Sequence, residues 1–422
     1  MRRSSLLLFA LMLAAAWTAL ATTLASGAVS PSPTPDTGLA VPNPANLTIL
    51  PPMVPGQPIY PRVNGRVYFG VNDNSLWRFN PTTSQRADLA TSSEVGQIAA
   101  GVGASMVRLD MSWPSVQPLA NDWHWDSTDD MYRGLISQGI RPLWMINSTP
   151  RFAVAAGDVG TCTGDGWGVT NNYCEAEPDA AHPENLRTFG AEFARRYPLS
   201  AGFEYRNEPN LSPAPNFFCD GNYRRDPVKL ATSLKDFVIG VHSVHPELRV
   251  LGGALAGCDG NSALTSYAAT LLDTLGSLPA EAGQSPPFIS ALSIHPYDLS
   301  TDQHLFPQIL QEVETTLATH GQPGLRVVIS ELGASSNQVS NQANRSLRMQ
   351  SYFTKVNDLR DQNRYDAFVA FNTIETGNGY GWLKPKDALG KFQALRPYCD
   401  FRTLLQVNSP LPSVVRTCLP GF

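Results

Sequence analysis

"GFEYRNEPN", Gly202 to Asn210, starts as a buried-looking strand and ends on a carboxylate, Glu208, before proline and a polar turn. Charges are almost never left unpaired in a core, so the acid belongs where a strand emerges from one. The same rhythm recurs on both sides. Upstream come "RVYFGVN" from Arg66, "SMVRLD" from Ser105 and "RPLWMI" from Arg141. Downstream come "RVLGG" from Arg249, "ALSIH" from Ala291, "RVVISE" from Arg326 and "AFVAFN" from Ala367. Short, nearly unbroken apolar runs suit parallel strands covered on both faces.

Between the strands lie stretches of helical periodicity, among them "STDDMYRGLISQG", "NLRTFGAEFARRY", "VKLATSLKDFVIGVHSV" and "RSLRMQSYFTKVNDLR". Asp126 and Ser127 suit the start of the first, and Pro246 stops the third. Alternating strands and helices predict an α/β fold, a (β/α)8 TIM barrel forming a single catalytic domain. A doubly wound open sheet is the rival, but no GxGxxG follows the first strand.

The barrel is expected over residues 63–405. Before it, residues 1–28 read as a signal peptide, with Arg2 and Arg3, an apolar run from Leu6 to Leu24, and small residues at Ala25, Gly27 and Ala28. That run is also just long enough to serve as an uncleaved membrane anchor. Residues 29–62 are proline-rich and read as a linker, and residues 406–422 as a tail packed by a disulfide. The chain is thus expected outside the cytoplasm, secreted or at the cell surface, and as a monomer.

Six cysteines fit that destination. Proximity pairs Cys162 with Cys174, Cys219 with Cys258 and Cys399 with Cys418, one of about 15 connectivities. No CxxC spacing points to zinc, and "HSVH" at His242–His245 shows no third ligand. A net charge of −5 leaves no basic footprint for nucleic acid. "NLT", "NST", "NLS" and "NRS" match the short glycosylation sequon.

A (β/α)8 barrel works at the C-terminal ends of its strands. Those ends carry Arg108 and Asp110, Asn207 and Glu208, His295 and Tyr297, and Glu331. Two glutamates facing one interior are the equipment for glycoside hydrolysis, one giving a proton to the leaving oxygen and the other attacking or activating water. Each residue also has a plainer reading: a solvated loop acid for Glu208, a structural ion pair for Glu331, a buried counter-charge for Arg108. Core packing would equally explain His295, Tyr297, Trp113, Trp144 and Trp382, and solvation would explain Glu375.

"RNEPN" at Arg206 and "VVISELG" at Val327 resemble the two signature strands of glycoside hydrolase clan A. "RLDMSWPSVQP", "RPLWMINSTPRFA" and "ALSIHPY" resemble the second, third and sixth strand motifs of that clan, with the family 39 and secreted family 5 cellulase-like types nearest. The resemblance implies a secreted retaining hydrolase of O-glycosidic bonds in a poly- or oligosaccharide, needing no cofactor or metal. Glu208 would be the acid/base and Glu331 the nucleophile. Asn207 would bind the sugar's 2-hydroxyl, Arg108 and Tyr297 would orient Glu331, and His295 would line the subsite. Trp382 would be a stacking platform. Two departures stand out: Arg206 where the family carries Trp, and Asn372 where an aromatic ends strand eight. Transglycosylation by the same glutamates, or a barrel that binds carbohydrate without cleaving it, are the alternatives.

Overall fold

The computed structural model describes residues 50–53, 57, 59–73, 79–80, 85–86, 90–163, 172–212, 223–257, 262–297, 305–335, 339, 341–360, 364–374 and 380–416. Eight parallel strands close into a barrel. They are β1 Tyr68–Asn72, β2 Met106–Ser112, β3 Arg141–Asn147, β4 Gly202–Tyr205, β5 Val250–Ala256, β6 Ala291–His295, β7 Arg326–Leu332 and β8 Tyr365–Ala370. Each pairs with its sequence neighbour, and β8 returns to β1. A long helix follows each strand, α1 Ser92–Val102, α2 Asp126–Ile136, α3 Pro183–Arg196, α4 Pro227–His242, α5 Ser262–Ser277, α6 Leu305–Thr319, α7 Gln342–Leu359 and α8 Arg396–Leu404, and a single helical turn, Trp113–Val116, precedes α2. All eight expected strands are present, and the fold is the (β/α)8 barrel.

Local chemistry sets the helix ends. Thr91 and Glu94 close a reciprocal capping box on α1, and Asp226 accepts from the amides of Val228 and Lys229 at the start of α4. In α2 the expected cap is displaced. Trp125 holds the cap position without a side-chain bond, and Asp126 is the first helical residue, where its charge suits the helix dipole.

The barrel interior rises in layers. Its floor is apolar, formed by Tyr68, Met106, Leu143, Leu251, Ala291, Val328 and Ala367. Their strand neighbours, among them Phe69, Val107, Trp144, Phe203 and Phe368, join the larger core against the helices. Leu50, Ile59 and Tyr60 belong to the floor cluster and are almost wholly buried, which revises the expectation of a free linker up to residue 62. An apolar barrel end needs a cover, and this segment supplies it. Arg249 fastens it, donating from Nε to the carbonyl of Ile59 at 2.7 Å and from Nη2 to that of Pro51 at 2.8 Å. Asp366 accepts the Ile59 amide at 2.7 Å.

Above the floor the next layer is polar, with Arg108, Glu204, Ser293 and Ser330 all buried. The loop after β3 is braced as expected: Cys162 and Cys174 face each other on short antiparallel strands and are disulfide-bonded. Cys399 is also disulfide-bonded. Cys219, Cys258 and Cys418 lie outside the described residues, as do the expected leader and Glu375. Among the described residues no helix is long and apolar enough to cross a membrane.

Candidate active site

Backbone strain marks the end of β4. Arg206 and Glu208 both have left-handed φ, 71° and 46°, a conformation non-glycine residues hold only where surroundings enforce it. Three bonds enforce it here. The Glu208 amide donates to the Ala254 carbonyl at 3.0 Å. Asn210, fully buried, accepts from the Ala256 amide and donates to the Ala256 carbonyl, both at 2.8 Å. The motif's last asparagine therefore acts as a peptide surrogate that pins the turn to β5. This use of its amide also removes the "NLS" sequon at Asn210 as a surface glycan site.

Glu208 and Glu331 meet at the barrel mouth. One oxygen from each and a ring nitrogen of His295 lie within 4.8 Å of one another. Glu331 is held by three donors: the Tyr297 hydroxyl at 2.8 Å, Arg108 Nη1 at 3.1 Å and Asn72 Nδ2 at 3.3 Å. Arg108 also gives Nη2 to Asn207 Oδ1 at 2.8 Å and Nε to Glu204 Oε2 at 2.6 Å. Glu208 Oε1 lies 3.0 Å from His295 Nδ1, and His295 Nε2 lies 3.0 Å from Ser330 Oγ. Ser330 and Ser293 hydroxyls are 2.6 Å apart, and Ser293 donates to Glu204. Asp110 stands beside this group, 3.9 Å from Arg108 Nη1, with its side chain 45% exposed.

Burial opposes charge throughout the cluster. It would lower Arg108, but Glu204, Glu331 and Asp110 hold that guanidinium above its ordinary value, so it is a permanent cation. Burial and the adjacent Glu331 charge push the Tyr297 hydroxyl well up, keeping it a donor. Glu331 is pushed up by burial, against the pull of His295 and Arg108, while Glu208's charge adds to the rise and Tyr297 opposes it. Burial raises Glu208 as well, but a proton donated by His295, with the charges of Arg108 and Arg224, takes it below its ordinary value. The Glu208–His295–Glu331 set has donor atoms a divalent cation accepts, yet it fits one poorly, because Arg108 already sits on Glu331 as the cation.

Six of the expected residues converge: Arg108, Asn207, Glu208, His295, Tyr297 and Glu331. Asp110 borders them. Trp382 does not join, and this is a correction. It is 2% exposed and packs against Phe69 and Phe401 between barrel and helices, so no face is open to a sugar. Trp113 and Trp144 are likewise core. Among the described residues Tyr380 is an aromatic beside Tyr297, edge-on to it at 6.0 Å and to Phe371 at 5.3 Å. Phe371 directly follows β8, so an aromatic does end that strand, one position before Asn372.

Arg206, where the family carries Trp, points away from the site. It is fully buried over the Tyr205 ring and binds Glu177 and Thr149, with Arg225 on the other side of Glu177. Sequence reasoning missed Glu204, Asn72, Ser293 and Ser330. A glutamate in the middle of the apolar "GFEY" was the available signal, since such a charge requires a buried partner.

No protein-family model matches the sequence, and no curated protein matches it either. Solved structures do match. A family 39 glycoside hydrolase from the gut symbiont Bacteroides cellulosilyticus WH2 superposes with a TM-score of 0.56 at 14% identity, over 82% of this chain and 65% of that one. The family 39 enzyme from Xanthomonas axonopodis pv. citri gives 0.56 at 15% identity, over 85% and 68%. A family 5 enzyme from Streptomyces cattleya in complex with Manb1-4GlcNAc gives 0.56 at 15% identity, over 82% of both chains. The chain spans just under two thirds of the first of these. At such identity the likeness is one of fold, and it falls on the two families its motifs resemble.

Proposed function

We propose that the protein is a retaining glycoside hydrolase that cleaves O-glycosidic bonds of a poly- or oligosaccharide by double displacement. One observation carries the reading: Glu208 and Glu331, delivered by the ends of β4 and β7, bring carboxylate oxygens within 4.8 Å of each other. Carboxyls about 5 to 5.5 Å apart suit attack by one of them on the sugar, whereas inversion needs a wider gap to admit water.

Glu331 is the nucleophile. Three donors converge on it, one a permanent cation, and all favour the carboxylate over the acid. Its oxygen attacks the anomeric carbon while Glu208 protonates the departing oxygen. Glu208, now ionised, then deprotonates the water that releases the sugar from Glu331. Asn207 accepts from Arg108 through Oδ1, which leaves its NH2 to donate to the sugar, in line with a 2-hydroxyl contact. Asp110 and Tyr380 complete the wall around the sugar. The leader-like sequence of residues 1–28 and the Cys162–Cys174 disulfide support an exported protein.

Azide tests the roles. Glu208→Ala should cripple hydrolysis of natural substrates, and added azide should restore turnover of activated aryl glycosides to a glycosyl azide of retained configuration. An inverted azide would exchange the two roles. A 2-fluoro glycoside with an activated leaving group should label Glu331, and failure across a broad sugar panel would favour a binding barrel.

A further inference from the structure

We infer that the cleft takes a sugar without an acidic group, and that Asp110 selects it by accepting the sugar's hydroxyl hydrogens. The inference rests on the glycosidase reading just proposed and names the substrate class of that site. Asp110 differs from the other carboxylates there. Glu204 is bound by Arg108 and Ser293, Glu208 touches His295, and Glu331 is held by Tyr297, Arg108 and Asn72. Asp110 has no hydrogen bond among the described residues. Its ion pair with Arg108 Nη1 spans 3.9 Å, beyond hydrogen-bond reach.

The strand aims this unbound carboxylate at the substrate. Side chains alternate along β2, so Met106 in the floor, Arg108 in the polar tier and Asp110 at the rim share the inward side. Asp110 stands two residues above Arg108, a rise of roughly 6.6 Å. Its side chain is 45% exposed, against 22% for Glu208 and 14% for Glu331. Of the three it is the one most open to a ligand.

Charge decides what it can accept. Burial of the site raises the Asp110 carboxyl and Arg108 lowers it, while Glu204 and Glu208 add to the rise and His295 opposes it. Open to water and beside a permanent cation, it stays ionised at neutral pH. Its two oxygens then accept from neighbouring hydroxyls of one ring, in bonds stronger than a neutral acceptor makes. A carboxylate or sulfate on that ring would instead face Asp110, Glu208 and Glu331, with the cations of the cluster already engaged. Arg108 is 1% exposed and serves Glu204, Glu331 and Asn207. Arg224 gives Nη2 to the Asn207 carbonyl at 2.7 Å and faces Glu175 at 3.5 Å. His295 meets Glu208 and Ser330 at its two ring nitrogens. A like charge left unpaired is how a site rejects the wrong ligand.

Paired probes test the selection. The panel of activated 2-fluoro glycosides is run as pairs, each neutral hexose against its 6-carboxylate, and labelling of Glu331 is timed by mass spectrometry. A neutral member should label the wild type at least about 100-fold faster than its acidic counterpart, as expected where like charges meet. Asp110→Asn keeps the shape and removes the charge. It should raise KM for the neutral aryl glycoside about tenfold, change kcat less, and cut the neutral-to-acidic labelling ratio at least about tenfold. Its melting should match the wild type, because Asp110 holds no hydrogen-bonding partner. An acidic member that labels as fast as its neutral counterpart, or a ratio that Asp110→Asn leaves unmoved, overturns the inference. No labelling by any member overturns the glycosidase reading instead. Calorimetric binding of neutral and uronic oligosaccharides to wild type and Asp110→Asn then judges the selection alone. A preference for neutral chains that Asp110→Asn loses sustains it, and any other result overturns it.

Discussion

Arg108 is tied to Glu204 from below by a 2.6 Å bond, so the guanidinium that holds Glu331 is itself held by the barrel wall. Its remaining nitrogens reach Glu331 and Asn207 at the mouth. A lysine cannot serve three directions from a planar fork. Arg108→Lys should therefore lower kcat roughly 10²-fold with little change in fold, since small misplacements of a nucleophile cost about that much. Arg108→Ala should also destabilise by about 3 to 5 kcal/mol, because it leaves the Glu204 charge buried and unpaired. Steady-state kinetics and denaturant melts would check both.

Tyr297 is the neutral donor on Glu331, and its hydrogen bond favours the carboxylate. Tyr297→Phe removes that help, so the Glu331 value rises further. Activity requires Glu331 ionised, and the acid limb of the pH profile should then move to higher pH. The labelling rate against pH reads this directly, and a limb that stays in place would remove Tyr297 from the proposed mechanism.

Asn210 predicts a stability effect coupled to activity. Asn210→Ala removes two buried hydrogen bonds to Ala256, which costs about 1 to 3 kcal/mol. It also frees the strained turn that aims Glu208. Turnover of poor leaving groups should fall more than labelling of Glu331. Equal losses in both would mean the clamp supports only the fold.

Glu177 predicts the acid side of stability. Burial would raise its carboxyl, but Arg206 and Arg225 outweigh burial and take it down to about 2 from 4.5. A folded value below the unfolded one stabilises fully above about pH 4.5, and that contribution is lost as pH falls toward 2. The amount is on the order of 3 kcal/mol. Glu177→Gln should flatten the stability curve across this window in urea melts, and an unchanged slope would refute the assignment.

The strands were legible because a parallel barrel leaves each one nearly continuously apolar, and the residues where each run ends rise to the mouth. Glu208, Glu331, His295 and Tyr297 could be read from that position alone. Glu204 could not be placed so easily. Strands buried on both faces do not alternate polar with apolar, so "GFEY" does not reveal which side chain points inward. Trp382 was misread, and the direction of Arg206 could not be read, for a related reason. One residue in left-handed conformation turns the side chain after β4 away from the cleft, and a loop's path decides whether a tryptophan stacks on sugar or on Phe69. Neither is encoded in a short motif. The segment from Leu50 to Tyr60 resembled spacer by composition, while its few apolar side chains were those the floor required.

Corking the barrel from beneath matters to the chemistry above it. Tyr60 and Ile59 cover the floor, and the tier above it holding Glu204 and Arg108 is closed to bulk solvent, at 0% and 1% exposure. A chain trimmed to start at Val63 would let solvent rise through the stave ends, hydrate that pair and loosen its grip on Glu331. Ile59 and Tyr60, at the end of the proline-rich lead-in, thus insulate the buried Arg108–Glu204 pair from beneath.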